Sequence, residues 1–61
     1  MKTYSIHQAP NGDWEITDGI ASHDGYPSRL AAAYAMRIAC WGGGYPSPAD
    51  AQDVVDAGWT E

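Results

Sequence analysis

Two histidines and one cysteine are the side chains whose chemistry could support catalysis or metal binding. His7 and His23 could exchange protons near neutral pH, and Cys40 could act as a nucleophile. The three are scattered, without the paired spacing of a closed zinc site, and Cys40 falls near a helix C-terminus, where the dipole does not stabilise a thiolate. We expect both histidines on the polar face of a sheet, no metal or other cofactor, and no enzymatic activity.

A run of three glycines, 42–44, precedes a second helical segment and invites comparison with a phosphate-binding loop. It lacks the Lys and the Ser or Thr of that motif and does not follow a strand. The run therefore predicts a helix cap and a flexible connection.

The most distinctive chemical pattern is acidic and lies near the C-terminus. Asp50, Asp53 and Asp56 recur every three residues, so a helix would hold all three on one broad face. No Lys or Arg follows Arg37, which leaves this part of the chain purely anionic. The predicted partner-binding set adds one further carboxylate and two aromatic side chains. Its members are Asp50, Asp53, Asp56, Glu61, Trp59 and Tyr45. The alternative is that the aspartates are simply the solvated side of an amphipathic helix, and that the aromatic rings close a small core.

Overall charge restricts the choice of partner. The chain has eight acidic residues and three basic ones, Lys2, Arg29 and Arg37, which gives a net charge of -5. Such a chain is repelled by nucleic acid and by anionic membranes and is attracted to basic protein surfaces. Asp13, Glu15 and Asp18 form a secondary acidic patch near the N-terminus.

Length and hydropathy suggest one small domain, 1–61, in the cytoplasm. No apolar segment resembling a signal peptide follows Met1, and the longest apolar stretch, 30–41, is too short to span a bilayer. A single cysteine fits a reducing compartment.

The N-terminal third, 1–23, predicts a three-stranded antiparallel meander. Tyr4 and Ile6 alternate with polar residues, as do Trp14 and Ile16, and the 9–12 segment between them has turn chemistry. Asp18 and Gly19 form a pair preferred in two-residue type I′ loops, which would return the chain as a short third strand over 20–23.

Two helices should follow, which gives an α+β fold with the sheet packed on one long helix and then a short second helix. The first spans 28–41, counting Ser28 as its N-cap; the Gly-rich connection is 42–46, and the second helix falls within 47–58. The predicted sheet-facing stripe of the first helix is Leu30, Tyr34, Ile38 and Trp41. Its alanine-rich face needs another cover, either the second helix, which we favour, or a second copy in a homodimer.

The order of these features resembles a widespread group of short bacterial and phage domains of unknown function. The resemblance rests on the 11–16 segment NGDWEI, on Gly19, on the 26–28 segment YPS and on the Ala-rich helix, and covers residues 4 to about 40. It implies a sheet-and-helix fold and no activity. The outline is also similar to the arm domains of phage integrases, which bind DNA through the sheet; those domains are basic there, whereas this sheet carries Asp13, Glu15 and Asp18.

Two functions follow from these observations. The first is a non-enzymatic inhibitor or adaptor that occupies the basic, nucleic-acid-binding surface of another protein, as small acidic phage proteins do, including the anti-CRISPR inhibitors that this chain resembles in size and charge. The alternative is a nucleic-acid-binding module that uses the sheet face.

Overall fold

The computed structural model describes residues 3–61. Met1 and Lys2, which entered the expectations on targeting and on basic charge, lie outside this range. Three strands come first in the chain, β1 (Ser5–Gln8), β2 (Trp14–Thr17) and β3 (Ser22–Tyr26), and two helices follow, α1 (Arg29–Cys40) and α2 (Pro48–Asp56). The α+β class and the predicted element order are therefore confirmed.

The sheet is an antiparallel meander in the order β1-β2-β3. Ile6 pairs with Ile16 across the first two strands, and both point toward the helices. The predicted turn between the strands is present: the Ala9 amide donates to the Asp13 carbonyl at 2.7 Å, and Gly12 adopts a φ of 94°. The positive φ explains why glycine suits that position.

The turn between β2 and β3 differs from the predicted two-residue loop. Thr17 pairs with Ser22, so four residues, 18–21, connect the strands. A type I′ turn needs positive φ at both central residues, whereas only Gly19, at 94°, has it. The carboxylate of Asp18 instead accepts the amides of Ile20 and Ala21, each at 2.9 Å, and these bonds hold a longer loop.

The third strand lies later in the chain than predicted, because the four-residue loop delays its start and a bulge extends its end. His23 pairs with Ile16 and Tyr26 pairs with Trp14, so β3 has one residue more than β2 across this interval. Gly25 supplies the conformation that the bulge requires, with a φ of 88°. Residues 24–26, which lie beyond the predicted end of the third strand at 23, are thus the end of β3.

The alanine face of α1, not the predicted stripe of larger residues, packs on the sheet. The core contains Ile16, Tyr26, three alanines of α1 and Ala51 of α2, and all are at most 2 % exposed. Small side chains let α1 approach the strands and α2 closely. The stripe was wrong as a sheet contact: its last member, Trp41, is 75 % exposed, and Tyr34 and Ile38 face the C-terminal segment.

The same burial gives no support to a homodimer formed through the alanine face. The four alanines are covered within the single chain, by the sheet and by the favoured second helix. They are Ala31, Ala32, Ala33 and Ala35.

Capping residues define both helices and connect them to each other. The Ser28 hydroxyl accepts the Ala31 amide at 3.1 Å and donates to the Gln52 side chain at 2.8 Å, so the cap of α1 also contacts α2. Ser47 caps α2 by accepting the Asp50 amide at 3.2 Å. The glycine run ends α1 as predicted, with Gly42 at a φ of 84°.

Candidate functional site

Helix α2 presents its three aspartates away from the core. Ala51 is fully buried and Val55 packs against the core, whereas Asp50, Asp53 and Asp56 are exposed. At about 100° and 1.5 Å per residue, the aspartates cover a band about 120° wide and about 9 Å long opposite the buried edge. We call this band the acidic face. The pattern predicted from the sequence is therefore present on the molecule.

No cation neutralises the acidic face within residues 3–61. Neither Arg29 nor Arg37 forms an ion pair with any of its carboxylates. Among side chains of the described residues, the Gln52 amide donates a hydrogen bond to Asp56 at 2.8 Å. Screening reaches about 10 Å at 0.1 M salt, so three charges within about 9 Å act jointly on an approaching group.

Glu61 differs from the other acidic residues of the predicted set. Its carboxylate forms an ion pair with Arg29, at the first residue of α1. Sequence distance concealed this pair, because the two residues are 32 positions apart. The Glu61 side-chain carboxylate is thus neutralised locally, and the negative surface is narrower than the sequence suggested.

The two aromatic residues of the predicted set belong to different clusters. Trp59 meets Tyr34 edge to face, with ring centroids 5.5 Å apart, and lines a groove together with Trp41. Tyr45 does not line that groove; it stacks on His23 at 3.6 Å with an interplanar angle of 20°. The two aromatic members of the predicted partner-binding set therefore do not share one surface, and Trp59 is half-buried.

Tyr45 has a structural role in attaching the Gly-rich connection to the sheet. Besides His23, its ring meets Tyr4 at 6.4 Å, and the neighbouring Pro46 carbonyl accepts the Tyr26 hydroxyl at 2.9 Å. Burial, together with the adjacent Tyr4 hydroxyl and the negative charge of Asp18, raises the pKa of Tyr45 to about 12. Burial alone raises the pKa of Tyr26. His23 lies on the inner side of the sheet, contrary to the expected polar face, because it pairs with Ile16, whose side chain is buried in the core.

The secondary acidic residues do not form one surface. Asp13 belongs to the first turn and Asp18 to the second, at opposite ends of β2 and about 16 Å apart at 3.3 Å per residue. Glu15 accepts from His7 Nε2 at 2.5 Å across the β1–β2 pair. Asp18 holds its loop through its own carboxylate.

Sequence reasoning missed the groove beside Trp59. It has a volume of about 270 Å³ and brings together residues of α1 with the 59–61 segment. The available signal was the Tyr34, Ile38 and Trp41 stripe, which was interpreted as core. Only the contact between α1 and the C-terminal segment reveals that the stripe lines a groove.

Two further observations concern other kinds of site. Within residues 3–61, no three His, Cys, Asp or Glu side chains come together as ligands for a metal ion. Among the helices formed by these residues, none combines the length and apolar character needed to cross a membrane.

Comparisons with protein families, with curated protein sequences and with solved structures find no match to this chain. The resemblance to short bacterial and phage domains remains an expectation from the sequence. Inference about function therefore depends on the surfaces described above.

Proposed function

We propose that this protein is a non-enzymatic binding module whose acidic face docks on a basic surface of a partner protein. The observation that supports the proposal best is that three exposed aspartates share one face of α2 without a neutralising cation among residues 3–61. A structurally required carboxylate would be paired or buried, as Glu61 and Asp18 are.

Arginine is the expected counterpart on the partner. Its planar guanidinium donates two parallel hydrogen bonds to a carboxylate, and such bonds are about twice as strong as neutral ones. A row of arginines that contacts phosphates would accept a row of carboxylates of similar charge. The partner surface that fits this face is therefore one that also binds nucleic acid, and the protein would compete with that nucleic acid.

The alternative, nucleic-acid binding through the sheet, has no support from the sheet surface. The side of the sheet turned away from the helices carries hydroxyls, one imidazole and carboxylates, and residues 5–26 include no Lys or Arg. Its members are Ser5, His7, Glu15, Thr17, Ser22 and Asp24. Phosphate binding depends on cations, so this surface favours protein over DNA as the partner.

A pair of matched variants tests the proposal. The α2-neutral variant carries Asp50→Asn, Asp53→Asn and Asp56→Asn, whereas the sheet-neutral variant carries Asp13→Asn, Glu15→Gln and Asp24→Asn. Both change the net charge equally, so only the position of the lost charge differs. Asp18 is left intact because its carboxylate holds a turn.

In affinity capture from the source cell, the wild type and the sheet-neutral variant should retain a basic, nucleic-acid-binding protein that the α2-neutral variant loses. Raising the salt concentration or adding duplex DNA should release it. Equal capture by all three forms would contradict the proposal. Direct retention of DNA by the purified protein at about 50 mM salt would favour the alternative. The finer expectations, a phage or mobile-element inhibitor of the anti-CRISPR type acting in the cytoplasm, depend on the identity of that partner.

A further inference from the structure

The groove between α1 and the C-terminal segment has the composition of a small binding site. Three aromatic rings line it, those of Tyr34, Trp41 and Trp59, together with the aliphatic side chain of Ile38. Trp41 is 75 % exposed although it is the largest kind of side chain. An exposed aromatic side chain at the edge of a groove is a feature of binding sites, because covering it removes apolar surface from water.

Arg37 adds a positive charge to the same wall. It is exposed, and within residues 3–61 it forms no ion pair, whereas Arg29 is paired with Glu61. Glu61 also lines the groove, but its charge is compensated by that pair. Arg37 is therefore the one side-chain charge of the groove without a partner among residues 3–61, and it is available to pair with an anionic group even though the whole chain is acidic.

The net charge of -5 acts against an anion at long range. Screening limits that effect to about 10 Å at 0.1 M salt, whereas a contact ion pair with a guanidinium operates at hydrogen-bond distance. At physiological salt the local cation thus outweighs the distant carboxylates.

Size narrows the class of ligand. Sites for drug-sized molecules have volumes of roughly 300–1,000 Å³, and this groove, at about 270 Å³, falls just below that range. One aromatic ring with a short acidic substituent fits; an extended peptide does not. We propose that the groove binds a small aromatic carboxylate, with the ring among Tyr34, Trp41 and Trp59 and the carboxylate paired with Arg37. The proposal uses no residue of the acidic face and does not depend on it.

A matched pair of ligands tests the charge requirement. Phenylacetate and phenylacetamide have the same ring and nearly the same shape, but only the first is anionic. The readout is the shift of the indole N–H resonances of Trp41 and Trp59 in NMR titrations of the full chain. Phenylacetate should bind at least about tenfold more tightly than phenylacetamide, in line with the greater strength of charge-assisted hydrogen bonds.

Two variants separate the charge from the ring contacts. Arg37→Gln should remove the preference for phenylacetate and leave phenylacetamide binding unchanged, because only the guanidinium distinguishes them. Trp41→Ala should weaken both ligands by a similar factor; because Trp41 is mostly exposed, this variant should remain folded. Asp53→Asn, on the acidic face, should change neither affinity, so the outcome is independent of the proposed function.

Three results would overturn the inference. They are equal binding of the acid and the amide, unchanged phenylacetate affinity in Arg37→Gln, and tighter binding of a blocked pentapeptide with a central Trp. The last would identify the groove as a site for a polypeptide side chain instead of a small acid.

Discussion

The Ser28 hydroxyl caps α1 and also forms a hydrogen bond to α2, which makes Ser28→Ala an informative perturbation. Loss of an N-cap hydroxyl costs about 1 kcal/mol, and loss of a neutral hydrogen bond such as that to Gln52 costs about 0.5–1.5 kcal/mol. The free energy of unfolding should therefore fall by about 2 kcal/mol. Chains of this length have about 3–9 kcal/mol of stability, so the variant should still fold.

Ser47→Ala is the matched control, because Ser47 caps α2 and its hydroxyl accepts the Asp50 amide without a second side-chain hydrogen bond among residues 3–61. This variant should lose about 1 kcal/mol. With a shift of about 4–8 °C per kcal/mol for small domains, the midpoint temperature should fall about twice as far in Ser28→Ala as in Ser47→Ala. Far-UV circular dichroism during thermal and urea unfolding measures both, and the urea m-value should not change.

A double-mutant cycle isolates the contact between the helices. Gln52→Ala removes the bonds of Gln52 to Ser28 and to Asp56, but the second is lost in both backgrounds and cancels. The coupling energy between Ser28 and Gln52 should be about 0.5–1.5 kcal/mol. Strict additivity, or equal losses in Ser28→Ala and Ser47→Ala, would refute the reasoning.

Three further predictions concern the sheet and the Gly-rich connection. Tyr26→Phe should lower the free energy of unfolding by about 1 kcal/mol in urea denaturation, because the Pro46 carbonyl loses its donor. The pKa of Tyr45 is raised from 10.0 to about 12, so the stability that its protonated hydroxyl contributes is complete below pH 10 and is lost as the pH rises through 12. The midpoint temperature of the wild type should therefore fall between pH 10 and pH 12, and Tyr45→Phe should make that fall smaller. Gly25→Ala should destabilise by about 1 kcal/mol or more, since the φ of 88° is strained for any residue with a side chain, and an unchanged midpoint temperature would contradict the bulge.

Local signals predicted the elements of this fold well. The capping serines, the glycine run and the turn at 9–12 act within a few residues, and all three appear where the sequence indicated. The α2 aspartates also followed from spacing alone, because a helix converts a three-residue repeat directly into a face.

The errors arose where tertiary contacts decide the outcome. Periodicity placed Tyr34 and Ile38 on one stripe, but it could not decide between that stripe and the alanine face, since the choice depends on how closely α1 approaches the strands. The bulge at Gly25 depends on how β3 pairs with β2, which local sequence does not reveal. The predicted third strand therefore ended at residue 23, before the bulge.

The candidate site was also predictable only where it depends on neighbouring residues in the chain. The acidic face followed from local spacing, whereas the Arg29–Glu61 pair and the division between Trp59 and Tyr45 depend on residues far apart in the chain. The groove was missed for the same reason, because the 59–61 segment contributes one of its walls.

In the proposed complex, the negative charge on α2, and not the net charge of the chain, forms the contact with the partner. The most direct test is an amide NMR titration of the α2-neutral and sheet-neutral variants, beside the wild type, with an arginine-rich decapeptide. We expect shifts centred on residues 50–56 and at least about tenfold weaker binding in the α2-neutral variant, with less than about twofold change in the sheet-neutral variant. Equal weakening in the two variants, or shifts centred on the sheet, would contradict it.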